Sequence, residues 1–165
     1  SGSVVGYRVN EVLFAQRHTA VGRTNAITGS ITAKGTTIAA GSFTVQMATV
    51  KSDQARRDAQ FNGRIMETGI YPTATFTLTQ PIRLGSIPSE GATRTYQATG
   101  GLTLHGVTRT LTFRVKARYT RSAIQVVGSI PVTFADYSIS NPSFGGVVTT
   151  EDHGVLEFSL MFTRA

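Results

Sequence analysis

Along most of the chain apolar residues recur at every second position, the pattern of strands with one buried face. Val5, Tyr7 and Val9 set the rhythm over 4–14, and the parity then passes to Val12 and Phe14, as a β-bulge at Asn10-Glu11 would cause. A second run, 21–34, places Ile27, Gly29, Ile31 and Ala33 on one face, and a third, 38–50, places Phe43, Val45 and Met47. After Tyr71-Pro72 come Ala74, Phe76, Leu78, Ile82 and Leu84. Tyr96 to Leu104, Leu111 to Tyr119, Ile124 to Phe134 and Leu156 to Phe162 complete eight runs.

The spacing changes only between the third and fourth runs. Residues 53–66 read as a short helix with Phe61, Ile65 and Met66 on its apolar side and Ser52 or Asp53 as its cap. The stretch 136–152 is polar and Gly-rich and is long for a hairpin loop, the length at which loops become lids or binding loops.

Eight consecutive antiparallel strands with short links most simply close into an up-and-down barrel, which removes exposed edges. Such a barrel is either filled by its own side chains or holds one slender ligand. The residues expected inside are Phe14, Phe43, Val45, Met47, Phe76, Leu78, Leu102, Leu104, Phe113, Val115, Ile130, Val132, Phe134, Phe158 and Leu160. Gly29, Gly100 and Gly128 share those faces, where small residues leave space.

Composition agrees with this picture. The chain has 165 residues, enough for one domain, with 15% charged residues and no cysteine. Disulfides, thiolate metal sites and cysteine nucleophiles are therefore excluded. No apolar run approaches the ~18 residues of a membrane-spanning helix. The opening Ser1-Gly2-Ser3 lacks a methionine and reads as an expression remnant ahead of a domain over 4–165, so an export signal or anchor has room upstream.

The order of segments resembles the YceI-like family of lipocalin-like, polyisoprenoid-binding barrels. The likeness runs through Val12-Leu13-Phe14, His18, Val21-Gly22, Lys34-Gly35, Val45-Gln46-Met47 and Val50-Lys51-Ser52. It continues with Arg57-Asp58, Phe61, Tyr71-Pro72 to Phe76, Gly101 to Arg109 and Phe144-Gly145-Gly146; Leu102–Arg109 is its strongest part. Asn141-Pro142-Ser143 departs from it, since members tend to be more basic there. The resemblance implies an eight-stranded lipocalin-like barrel with a short helix between strands 3 and 4. It also implies an apolar interior that takes an isoprenoid tail, with the polar head near one mouth. On that basis Arg17, His18, Arg23 and Arg57 are candidates for the head, and the protein is expected outside the cytoplasmic membrane.

Candidate chemistry beyond this is thin. His18, His105 and His153 share no metal-ligand spacing, so no metal site is expected. No Gly-x-Ser-x-Gly elbow, phosphate loop or dinucleotide fingerprint occurs, and neither catalysis nor a cofactor is expected. The net charge of +7 prompts a search for a polyanionic partner. Nucleic acid is disfavoured, because cations and aromatics fall on opposite strand faces. Arg114, Lys116 and Arg118 alternate with Phe113, Val115 and Ala117, which puts three cations on one outer face. That stripe is either a solvated face that discourages aggregation or a dock for anionic lipid headgroups. The function expected is binding of a long-tailed amphiphile, as carrier, store or sensor. The alternatives are an enzyme acting on such a lipid and a solid barrel that binds a partner through its basic exterior.

Overall fold

The alternating runs form strands because β-branched and aromatic residues fit a pleated surface with one face against an interior. The computed structural model describes residues 2–143 and 147–164; Phe144-Gly145-Gly146, cited above for the family resemblance, lies outside them. Among the described residues there are eleven strands: β1 Val4–Leu13, β2 Gln16–Thr24, β3 Ile27–Lys34, β4 Thr37–Gln46, β5 Thr73–Leu78, β6 Ile82–Arg83, β7 Thr93–Leu104, β8 Val107–Tyr119, β9 Ala123–Thr133, β10 Val148–Thr150 and β11 His153–Thr163. All pair antiparallel. Three staves are broken in two: β2 continues as β3, β5 as β6, and β10 as β11. The eleven strands thus occupy eight positions round an all-β, lipocalin-like barrel.

Closure depends on a change of partner. β2 pairs with β1, whereas β3 pairs with β4, and the switch falls at Asn25-Ala26. There Arg23 and Lys51 exchange both backbone hydrogen bonds at 2.8 and 2.9 Å, and Gln46 N–H donates to the Ala26 carbonyl. Beside them the buried Thr24 hydroxyl meets that of Thr49 at 2.6 Å. One bent stave therefore joins the two ends of the sheet.

Three expectations for the first hairpin are corrected. The β1–β2 register runs unbroken from Val5↔Thr24 to Leu13↔Gln16, so β1 has no bulge against β2 and its parity does not change. The interruption lies in the opposite neighbour, between β10 and β11, where Glu151-Asp152 separate the segments that pair with β1. Consequently Glu11, not Val12, continues the inward face. Phe14 and Ala15 form the two-residue turn, both at positive φ, and Phe14 is 75% exposed rather than inside. β2 also begins at Gln16, earlier than the apolar pattern suggested.

The helix spans Ala55–Gln60 (α1) and passes into a π turn over Phe61–Ile65. Its start is tied by Ser52: the Asp58 carboxylate accepts the Ser52 N–H and hydroxyl, while Gln54 N–H donates to Ser52 Oγ. Phe61 stacks on Tyr7 at 5.4 Å, which lays this segment across one end of the barrel.

The interior is hollow. No large side chain among the described residues falls below 2% exposure, and even Leu102 keeps 3%. The glycines play a part other than leaving empty space. A methyl group on Gly22, Gly29, Gly100 or Gly128 would lie within 2.1–2.6 Å of the ring of Tyr7, Phe43, Phe76 or Phe158 respectively. Each ring reclines on a glycine of the adjacent strand. Gly100→Ala, whose methyl would also meet the Thr77 carbonyl oxygen at 2.3 Å, is expected to cost about 1–3 kcal/mol. Gly63→Ala, with no atom within 4 Å, is expected to be neutral or mildly stabilising. Urea denaturation of the two variants checks the contrast.

Candidate functional site

Two chambers occupy the barrel and share Val5, Val45, Ala74 and Leu156 in their walls, so they adjoin one another along it. The first, of about 180 Å³, is lined by Phe43, Val45, Phe76, Leu78, Leu102, Phe113, Val115, Ile130, Phe158 and Leu160 together with other aliphatics. Thr75, Tyr96 and Tyr119 alone among its lining residues carry a polar side-chain atom. The second, of about 160 Å³, lies under the helix and includes Met47, Leu104, Val132 and Phe134. Every expected lining residue except Phe14 therefore faces the cavity. Phe76, Phe113 and Phe158 make a run of edge-to-face contacts at 5.4 and 5.9 Å along its wall.

The polar groups sit at the ends. In the second chamber Arg57 reaches from α1 to Glu11 on β1, with Nη2 3.0 Å from Oε1, while its Nη1 donates to Asp53 at 2.7 Å. The Arg57 and Glu11 side chains keep only 21% and 12% of their exposure. Burial works against the Arg57 charge, but hydrogen bonds to Asp53 and Glu11 outweigh it and hold its pKa above the ordinary value. Tyr7, beside them, has its hydroxyl pKa raised, first by burial. At the far end Tyr119 donates to the Tyr96 hydroxyl at 3.2 Å, and burial followed by this bond raises the Tyr119 pKa.

Of the four residues expected near a polar head, only Arg57 lines the cavity. Arg17 and His18 are exposed on β2 close to the hairpin turn; His18 faces the side of Glu11, and Arg17 the outside. Arg23 also points outward, because its register partner is Gly6 on the outer face, and there it binds Glu157. Glu11 was missed. Strict period two from Val5 through Tyr7 and Val9 would have found it, had its polarity not suggested a bulge.

The histidines lie apart. His105, in the β7–β8 turn, bonds Glu67 at 2.8 Å and the Tyr137 carbonyl at 3.2 Å, pinning three segments beneath the second chamber. His153 is exposed beside Asp152. No cluster of three metal-ligating side chains occurs among the described residues. Among the described residues of the long polar stretch 136–152, Ile139 and Pro142 line the second chamber, and Asn141 donates to the Thr150 carbonyl.

On the outside, Arg114, Lys116 and Arg118 are all exposed, as alternation requires. Nearby, Glu157 accepts from both Arg8 and Arg23. Burial pushes the Glu157 carboxyl up, but the hydrogen bonds from Arg23 and Arg8 hold it below the usual carboxylate range. A depressed folded-state pKa contributes stability above the unfolded value, and that contribution is lost as pH falls through the folded one. Glu157→Gln is therefore expected to be less stable than the parent at neutral pH. The gap should close progressively below about pH 4.3, which melting temperatures across a pH series would show.

Comparison with known proteins agrees with this geometry. A search of curated proteins returned no match. Among solved structures, the chain is similar to Burkholderia cenocepacia BcnA, with a TM-score of 0.71 and 20% identity over 95% of this chain and 96% of that one. It is similar to a polyisoprenoid binding domain from Saccharophagus degradans implicated in plant cell wall breakdown, with a TM-score of 0.77 and 16% identity over 99% and 94%. The Campylobacter jejuni YCEI protein gives a TM-score of 0.70 and 16% identity over 87% and 84%. The YceI-like domain matches residues 1–162, nearly the whole sequence, and the chain belongs to the YceI-like family.

Proposed function

We propose that this protein binds an amphiphilic lipid with a long apolar tail, a polyisoprenoid, and carries it outside the cytoplasmic membrane without chemically altering it. The single observation that supports this best is the pair of adjoining, largely apolar chambers inside the barrel. Burying a methylene group is worth about 0.8 kcal/mol, so each five-carbon unit adds roughly 4 kcal/mol with few polar contacts. The Saccharophagus degradans relative is described as a polyisoprenoid binding domain, which supports the same reading.

The polar end narrows the choice of head. Glu11 and Arg57 are the charged residues lining the second chamber; they neutralise each other, and Arg57 is already bound to Asp53 as well. An uncharged oxygen-bearing head, such as an alcohol or carbonyl, fits this balance better than a diphosphate. A charged head would have to break a well-made ion pair at substantial cost. Among the described lining residues Glu11 is the one carboxylate, and it is engaged by Arg57, which favours carriage over catalysis.

Solvent extraction and mass spectrometry of the purified protein are expected to release an unmodified isoprenoid lipid. If none co-purifies and added polyprenols do not raise the melting temperature, the reading fails. Ala74 lines both chambers, so Ala74→Leu is expected to weaken binding of long-tailed polyprenols more than tenfold while sparing short-chain ones, as titration would measure. Fractionation of cells making the full-length protein is expected to find it outside the cytoplasm.

A further inference from the structure

A second concave feature lies on the outer wall, and it takes in Arg23, one of the residues expected near the head. Two rows of outward residues cross adjacent strands there. Lys116, Val127, Ser159 and Val4 are successive register partners from β8 through β9 and β11 to β1. Alongside them, Glu157 and Arg23 both stand opposite Gly6, which has no side chain, so Arg23 reaches over it to Glu157. Arg8 and Arg114 complete a groove of about 640 Å³.

Its four cationic residues face one carboxylate, which leaves a formal charge of +3. Glu157 is committed to Arg8 and Arg23, and among the described residues no second carboxylate lines the groove to meet Arg114 and Lys116. Val4 and Val127 stand exposed between the cations. Arg118, expected on the same stripe, lies beyond the groove lining.

We propose that this groove docks the barrel on an anionic membrane surface. Cations ringing exposed valines match headgroups above the edge of an apolar layer; a free anion would use the cations and leave the valines wet. Gly128 and Phe158 belong to the groove, and Phe158 also lines the first chamber, so groove and cavity are separated there by a single residue. The proposal rests on the lipid-carrying reading, because a lipid with an isoprenoid tail resides in a bilayer and its carrier must touch one.

Sedimentation with vesicles tests it. The protein is expected to bind phosphatidylcholine vesicles containing phosphatidylglycerol, to ignore phosphatidylcholine alone, and to be released by salt as screening shortens the reach of the charges. The double variant Arg114→Gln/Lys116→Gln is expected to lose about 30-fold in partitioning, at roughly fivefold per cation, while its extracted lipid and melting temperature stay unchanged. Should that variant fold poorly, Lys116→Gln alone with the salt series of the unaltered protein replaces it. Equal binding to neutral and anionic vesicles overturns the proposal, as does undiminished binding by a folded variant. Stronger retention on immobilised polyglutamate than on anionic vesicles assigns the groove to an acidic protein and overturns it too. Vesicle binding without any co-purifying lipid would instead uphold the dock and remove the cavity reading.

Discussion

Aromatic rings reclining on glycines decide whether this barrel is solid or hollow. An interior of eight staves is barely wide enough for its own side chains, and rings pointing at the axis would fill it. Here Tyr7, Phe43 and Phe158 lie across their direct register partners Gly22, Gly29 and Gly128, and Phe76 lies across Gly100, the diagonal neighbour. Each ring occupies the place of a missing side chain on the next strand. The apolar area of a large residue is thereby buried against the wall, and the axis stays open. The same pairing fixes register, because a shift by one residue would place the ring on a β-carbon.

A hollow apolar core leaves polar groups viable only near the ends. Glu11 faces inward because strand parity requires it, and a lone carboxylate at 12% exposure would be costly. α1 resolves this by bringing Arg57 across the mouth. The helix is short and has no buried residue of its own over Ala55–Gln60, so its placement depends on Ser52, Asp58, the Tyr7–Phe61 stack and this ion pair. Structure and site are coupled there: the group that fixes the helix over the second chamber is also the one that sets its charge balance.

The staves and their inward faces were legible because period two is a local property of the chain. Fourteen of the fifteen residues expected in the lining face the cavity, and the exception is instructive. Phe14 was placed inside because its apolar character was allowed to override parity, and the same choice hid Glu11. Barrel closure at Asn25-Ala26 was not legible, since a change of pairing partner leaves alternation intact. The glycines were read as vacant space for a ligand, whereas each receives a ring whose origin on another strand no local pattern reveals. Of the four head candidates, Arg57 alone lines the cavity: Arg17 and Arg23 were named for their nearness to His18 in the chain, and nearness along a strand does not tell which face is inward.

Parity also explains how one strand serves two environments. On β8, Phe113, Val115 and Ala117 line the cavity while Arg114 and Lys116 border the outer groove, with one backbone between an apolar chamber and a cationic surface. Burying those charges in the chamber would be prohibitive, and exposing the rings would invite aggregation. Alternation removes both costs and keeps the two surfaces in register. At Gly128 and Phe158 the two surfaces adjoin: Phe158 lines both, and its ring covers Gly128 where the β8–β9 ladder ends at Val115↔Gly128. The glycine–aromatic device that keeps the lumen open thus also stands where the interior adjoins the charged face.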